Sequence, residues 1–364
     1  MDSAGRRATA ALWSLNGIGP KTMAKLEGSF GPLAKLLEVP VSSWRGAAWL
    51  TAQGRASLAT VGRLADVADT LERTLRRLGH RAVFPGDAQW PERLTADLSP
   101  VLFLMGPGAG APRRRVAVVG TRHPDPGVRD RVRRLAAEVV GCGLVVVSGA
   151  AEGIDQAAHS GALSAGGETW AFLGCAIDQM DDAQKVLLVP FRDRGGSFFS
   201  QFPPGTRSDR STFRRRNPLI SGSSDVVLVA RAPIRSGALI TADAAWAQGR
   251  PLLAIPGDPW NPVAAGTNEL LRSRRARVCL SAQDLVAAAG LDGVLSPSPA
   301  EPLPREPVSE LAQVVLEVLT RHPADLDQLV EKCRLDSGRV SACLVELQLA
   351  GYVVQKAGGR FEKS

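Results

Sequence analysis

The spacing of hydrophobic positions changes character along the chain and divides it. From residue 1 to about 80, apolar residues recur at helical spacing between glycine turns and no strand-like run occurs, which predicts a small all-helical unit. From 81 to 290 short apolar runs take over. Val116-Ala-Val-Val119, Leu144-Val-Val-Val147, Thr169-Trp-Ala-Phe-Leu173, Val226-Val-Leu-Val229 and Pro251-Leu-Leu-Ala-Ile255 are strand-like, and most end at Gly, Ser or Pro. Between the first two runs Val128, Val132, Leu135 and Val139 fall at helical spacing, with Arg129, Arg131, Arg133 and Arg134 among the intervening positions. Strand, helix and strand in this order predict a parallel sheet with helices on both faces, an α/β domain of Rossmann-like type.

A proline-rich linker over 291–308 follows, containing Ser296-Pro-Ser-Pro-Ala-Glu-Pro-Leu-Pro-Arg-Glu-Pro307. Beyond it three helical stripes occur, one on Leu311, Val314, Val315, Val318 and Leu319, one on Leu326, Leu329 and Val330, and one on Val340, Cys343, Leu344 and Leu347. Residues 351–363 predict a hairpin turning at Gly358-Gly359, so 309–364 are expected to form a winged helix. The fold expected is thus a Rossmann-like domain (81–290) flanked by a helical SAM or helix-hairpin-helix-like domain (1–80) and a C-terminal winged helix.

Composition narrows the possible partners. The 364 residues exceed one ordinary core, and no apolar run is long enough to span a membrane, so a multidomain, cytoplasmic protein is expected. Five scattered cysteines, Cys142, Cys175, Cys279, Cys333 and Cys343, form no C-x-x-C pair, and the four histidines are dispersed, so neither a metal nor a disulfide framework is expected. The 44 Lys and Arg against 36 Asp and Glu favour a polyanionic partner. The excess is local. Phe191 to Asn217 holds seven arginines and two acids, whereas 309–364 is slightly acidic.

Ligands of open parallel sheets collect beyond the carboxyl ends of the strands, a rim that here carries Gly120-Thr121-Arg122, Ser148-Gly149, Gly174 and Pro256-Gly257. A nicotinamide cofactor does not fit, because the first turn is G-T-R rather than G-x-G-x-x-G and the second strand ends without an acid for the ribose. A hydrolase would need Ser148, Asp155 and His159, yet no G-x-S-x-G elbow is present; a cap at Asp155 and a core imidazole at His159 account for those two. Anion binding fits better. Arg122 follows a strand, glycine turns open helices, and 203–217 is an arginine-rich stretch with Phe213 in its middle, suited to a single strand of nucleic acid. In the helical unit, Leu15-Asn-Gly-Ile-Gly-Pro-Lys-Thr22 has helix-hairpin-helix form. Gly17, Gly19 and Lys21 could hold an auxiliary phosphate, or the hairpin could serve only packing.

Val116-Ala-Val-Val-Gly-Thr-Arg122, Val147-Ser-Gly-Ala-Ala-Glu-Gly-Ile-Asp-Gln-Ala-Ala-His159, Phe202-Pro-Pro-Gly-Thr206, Phe213-Arg-Arg-Arg-Asn217, Ser236-Gly-Ala-Leu-Ile-Thr-Ala242, Gly249-Arg-Pro-Leu-Leu-Ala-Ile-Pro-Gly257 and Gly266-Thr-Asn268 together resemble, in order, the DNA-processing protein DprA (Smf) family. Trp90-Pro-Glu-Arg-Leu94 and Val101-Leu-Phe-Leu-Met-Gly106 resemble its lead-in to the sheet. The resemblance implies a Rossmann-like homodimer that binds and shields single-stranded DNA and loads the RecA recombinase onto it in natural transformation, without catalysis or cofactor. By position it implies strand contacts at Arg122, Arg210 and Phe213, with Arg216 and Asn217 completing the segment and Gly120, Thr121, Ser148, Gly149, Ser236 and Gly237 lining the same pocket.

The chain departs from the family pattern in three places. The tyrosine-proline after the third strand is missing from Leu173-Gly-Cys-Ala-Ile-Asp-Gln-Met-Asp181, Gln201 replaces a glutamate, and Arg231 replaces another. The last two remove acid near the expected anion pocket. A nucleotide phosphoribohydrolase of similar architecture is the enzymatic alternative, but Ser236-Gly-Ala-Leu-Ile-Thr-Ala-Asp-Ala244 lacks the glutamate that chemistry requires. A duplex-DNA regulator is the other. Its recognition helix would present Ser337, Arg339, Ser341, Glu346 and Gln348, with Lys356, Arg360 and Lys363 on the hairpin, a weakly charged surface for the task.

Overall fold

The computed structural model describes residues 1–109, 113–291, 308–319, 324–349, 352–355 and 360–363. The chain forms two compact units, Met1–Ala300 and Glu301–Ser364.

The first unit opens with α1 (Ser3–Trp13), α2 (Pro20–Phe30), α3 (Ala52–Ala59) and α4 (Leu64–Leu78). Local chemistry sets their ends. Asp2 caps α1 by accepting from the Gly5 amide, Pro20 starts α2, Thr51 caps α3, and Gly79 closes α4 in the left-handed region at φ +68°. Leu12, Leu26, Trp44, Leu58 and Leu64 fill the helical core, which runs on into Phe103, Phe191 and Phe198 of the sheet region. The Trp13 indole N–H donates to the Gln201 carbonyl at 2.6 Å, a buried bond joining α1 to the sheet. In the turn before α2, a Cβ on Gly17 would come within 2.6 Å of the Gly54 amide nitrogen, so this glycine is required by close backbone packing against the start of α3.

Nine strands follow: β1 (Arg81–Val83), β2 (Leu102–Met105), β3 (Arg115–Gly120), β4 (Val145–Ser148), β5 (Thr169–Phe172), β6 (Ser197–Ser200), β7 (Val226–Arg231), β8 (Leu252–Ala254) and β9 (Arg277–Val278). Their order is β1-β2-β6-β5-β4-β3-β7-β8-β9, parallel except for β1 with β2 and β2 with β6. The antiparallel edge and β6 go beyond the parallel sheet that the sequence predicts. Ser197-Phe-Phe-Ser200 is buried throughout, so it carries no alternation of apolar and polar positions, and both strands at the edges of the sheet, β1 and β9, are too short to show a period.

The connecting helices are α5 (Pro126–Gly141), α6 (Ile154–Ser164), α7 (Asp182–Lys185), α8 (Leu188–Arg194), α9 (Arg210–Gly222), α10 (Gly237–Ala247), α11 (Ala265–Arg272) and α12 (Ala282–Ala288). Val132, Leu135, Ala158 and Leu285 from α5, α6 and α12 cover one sheet face, and Leu219, Ile220, Ala242 and Leu270 from α9, α10 and α11 cover the other. From the central β3 the chain winds outward over β4, β5 and β6, then returns through α9 to β7 on the opposite side. The turns after β3 and β7 therefore diverge and leave a crevice between them, the usual ligand position in such sheets.

The second unit comprises α13 (Glu310–Val318), α14 (Leu326–Cys333), α15 (Ser337–Leu349) and the antiparallel pair β10 (Val353–Gln355) and β11 (Phe361–Lys363), the winged-helix arrangement. Val315, Leu329, Val340, Leu344 and Leu347 form its core. Glu346 does not face a partner as the helical spacing suggests. Its carboxylate accepts from the Ser309 amide and hydroxyl and so ties α15 to the start of α13. The turn expected at Gly358-Gly359, Lys356 and linker residues 292–307 lie outside the described residues.

Candidate nucleic-acid interface

A cleft of about 280 Å³ opens at the crevice between β3 and β7. Gly120, Thr121, Arg122, Phe213, Arg216, Asn217, Ser236 and Gly237 all line it, which brings together residues from three separate stretches of sequence. The Thr121 amide bonds the Arg231 carbonyl at 2.7 Å, and this fixes the turn that presents Arg122. Arg122 is exposed, with its guanidinium carbon 5.1 Å from the centroid of the Phe213 ring. Phe213 is half-buried and rests on Gly174, where a Cβ would come within 2.6 Å of the ring. The sequence gives Gly174 as a rim residue, but its function as the floor beneath Phe213 depends on a contact between distant segments.

Arg216 occupies the inner wall. Its side chain is buried, its Nη1 donates to the Phe172 carbonyl at 2.5 Å, and its guanidinium carbon lies 5.7 Å from the Phe213 centroid. Burial, opposed by Asp155 and assisted by the Arg122 charge, depresses its pKa to about 10. Two cations thus lie close to one aromatic ring and repel each other in a solvent-open cleft, an arrangement that a bound anion would relieve. Helix α10 adds its N-terminus to the same wall. Ser236 caps it by accepting from the Ala238 amide, and the Asn217 side chain donates to the Gly237 carbonyl at 3.0 Å.

Several expected residues occupy other places. Arg210, at the first position of α9, is exposed but lies outside the cleft lining, one helical turn from Phe213 on the same face. Ser148 is wholly buried and donates to the Val118 carbonyl at 2.6 Å, and the Gly149 amide is taken by Asp155 at 3.1 Å, so both brace the cleft from beneath rather than line it. Gly17, Gly19 and Lys21 belong to the helical region and not to this cleft; Lys21 is exposed. Gln201 and Arg231 also lie outside the lining, so their replacement of acids does not act on the cleft directly.

Asp155 does not cap its own helix. Gly153 holds the cap position, and the Asp155 carboxylate instead accepts from the Gly149 and Ala151 amides of the preceding loop. Burial raises its pKa despite the nearby Arg216. His159 is fully buried and its Nδ1 pairs with Thr169 Oγ1 at 2.7 Å, so Ser148, Asp155 and His159 do not form a nucleophile-base relay. Among the described residues no cluster of His, Cys, Asp or Glu could hold a metal ion.

Residues 81–290 match the family model described as DNA recombination-mediator protein A, and residues 298–359 match the DprA winged helix domain. This chain belongs to the DprA (Smf) family. Protein Smf of Synechocystis sp. is 31% identical over 322 residues, covering 77% of this chain and 79% of that protein. A putative DNA processing protein DprA of Mycobacterium tuberculosis is 34% identical over 311 residues, covering 80% and 79%. Among solved structures, DprA from Streptococcus pneumoniae superposes with a TM-score of 0.59 at 25% identity, covering 79% of this chain and 98% of that one. DNA processing protein A from Helicobacter pylori, described for its single-stranded DNA binding mode, gives 0.50 at 27% identity over 58% of this chain and 96% of that one. The segment matched to the DprA family contains every residue that lines the cleft.

Proposed function

We propose that the cleft between β3 and β7 binds single-stranded DNA, with Arg122 holding a phosphate, Phe213 stacking on a base and the α10 amides and Asn217 orienting the backbone. The observation that carries this reading is the pair of guanidiniums within 6 Å of one accessible aromatic ring, at the open end of a parallel sheet. Relatedness to a protein described for its single-stranded DNA binding supports it. Arg210 and Arg214, exposed on α9, would track the phosphates leaving the cleft. The role is binding rather than catalysis. The one carboxylate of the lining, Asp155, is buried and engaged with loop amides, and an enzyme acting on a glycosidic bond would need an accessible one.

Fluorescence anisotropy with single-stranded and duplex oligonucleotides across a salt series tests this directly. A preference for the single strand that Arg122→Glu removes is expected; a steady preference for duplex would exclude it. In the cytoplasm the same protein would act as a homodimer that shields incoming DNA and delivers it to RecA, as the family resemblance implies. Light scattering tests the first part, and assembly of RecA on a strand pre-bound by this protein tests the second. With its weak charge, the winged helix would serve as a protein-contact or auxiliary DNA module, and deleting 309–364 should leave single-strand affinity unchanged.

A further inference from the structure

On the other side of the β3–α5 turn the structure holds an arginine with no evident function in the fold. Arg231 ends β7 and is only 8% exposed, and neither its Nε nor its Nη1 has a hydrogen-bond partner. Buried guanidinium groups are normally paired, because an unpaired one forfeits hydration without replacing it. Backbone has been cleared to accommodate it. A Cβ on Gly257 would lie 1.7 Å from Arg231 Nη1, so only glycine permits the guanidinium to sit at the ends of β7 and β8. Asp125 and Arg131 are the charges acting on it, and neither forms an ion pair with it.

The loop beyond Gly257 carries a second unusual residue. Trp260 is 90% exposed, more than any other large hydrophobic side chain among the described residues. Its backbone is nevertheless held firmly. The Trp260 amide donates to Asp258 Oδ1 at 2.9 Å, and the neighbouring Asn261 accepts from the Val263 amide through Oδ1 while donating from Nδ2 to Asp125 Oδ2 at 3.3 Å. Asp125 stands three residues after Arg122, so this bond moors the tryptophan loop to the turn that forms the cleft. A solvent-facing indole on an anchored loop, three residues after the glycine against which the Arg231 guanidinium packs, offers a π-face for a base near a cation for a phosphate.

We infer that Arg231 and Trp260 form a second nucleotide subsite, which takes the phosphate and base of a residue further along the single strand held by the Arg122–Phe213 cleft. The inference rests on the single-strand reading of that cleft and extends it across the β3–α5 turn. Arg231 keeps a charge that no acid of the protein pairs, available to a phosphate of the DNA, and Trp260 remains exposed because a base covers it. The alternative for an exposed tryptophan, a contact with another protein, would not require the buried arginine.

The test uses the full-length protein and oligothymidylates of increasing length. Wild type should gain affinity as the strand grows long enough to reach both subsites. Trp260→Ala and Arg231→Met should each lose that gain, about tenfold for one stacked base or one charged contact, while binding the shortest oligomer as wild type does. Trp260→Phe should retain most of the gain. Arg231→Met should also raise the melting temperature, since it removes a buried cation without partners; a lower one would mark the arginine as structural and overturn the inference. Unaltered length dependence in Trp260→Ala and Arg231→Met, or equal loss for short and long oligomers, would also overturn it. Failure of wild type to bind the short oligomer would instead refute the single-strand reading itself.

Discussion

The guanidinium carbon of Arg122 lies 5.1 Å from the centroid of the Phe213 ring, although the two residues come from a strand-end turn and a helix that are ninety-one positions apart. Arg122 is exposed and makes no ion pair among the described residues, so its charge is available to a ligand. The ring orients it, because a cation over an aromatic face is favoured by about 0.5–1 kcal/mol at an exposed site. The two residues therefore behave as one unit, with the arginine positioned for a phosphate and the ring for the adjoining base.

Phe213→Ala should weaken single-strand binding by about 1–3 kcal/mol, and Arg122→Ala should lower the slope of log affinity against log salt by about 0.7, the value for one phosphate of a single strand. Arg122→Glu should abolish binding at moderate salt. Anisotropy titrations at several salt concentrations read all three. A salt slope unchanged in Arg122→Ala would remove this arginine from the phosphate contacts.

Gly149→Ala should be costly although no strand or turn geometry demands glycine there. The new Cβ would lie 1.9 Å from Arg216 Nη1 and 2.7 Å from Asp155 Oδ2. Arg216 would have to leave the Phe172 carbonyl, stranding two buried polar groups and the floor of the cleft. A loss of about 1–3 kcal/mol in stability is expected, together with weaker DNA binding. Thermal denaturation and anisotropy that both match wild type would show that Arg216 can move without consequence.

The sequence makes parts of this site legible and conceals others for physical reasons. Runs such as Val116–Val119 and Val226–Val229 are apolar throughout because parallel strands are covered on both faces, and a glycine or a polar turn closes them. Arg122, Phe213 and Ser236 are conspicuous because they interrupt such patterns. Arg216 is not, since it is one of three consecutive arginines, of which Arg214 and Arg215 are exposed and only it is buried. The pairing of Asp155 with loop amides instead of its own helix depends on where Gly149 and Ala151 are carried by β4. No local spacing encodes that.

Trp13→Phe isolates the bond that fastens the helical region to the sheet. Phenylalanine keeps most of the ring volume but leaves the buried Gln201 carbonyl without the indole N–H that reaches it at 2.6 Å. Arg215, whose guanidinium stacks over both Trp13 and Phe202, would lose part of its support as well. Stability should fall by about 1–3 kcal/mol. Limited proteolysis should release residues 1–80 sooner than from wild type, and identical digestion profiles would show that this bond does not govern docking.

His159 should make the protein sensitive to acid. Thr169 donates its only hydroxyl proton to the Val146 carbonyl at 2.8 Å, so at its 2.7 Å contact with His159 it accepts, and the imidazole must carry its proton on Nδ1. Nε2 is then an unpartnered lone pair in a buried pocket, with the Phe191 ring edge-on at 5.1 Å. Burial, assisted by the Arg216 charge, drives the pKa from 6.5 down to about 3. The folded protein thus refuses a proton that the unfolded chain accepts below about pH 6.5. Stability should fall as pH drops from that value toward 3, by at most about 1.4 kcal/mol per pH unit. The raised pKa of Asp155 acts in the opposite sense, because its folded form takes up a proton more readily, but it is common to wild type and variant. Urea denaturation of wild type and His159→Met at a series of pH values separates the two: the difference in stability between them should shift in favour of methionine as the solution is acidified. A difference that stays constant between pH 7 and 4 would show that the imidazole takes up its proton as readily in the folded state as in the unfolded one.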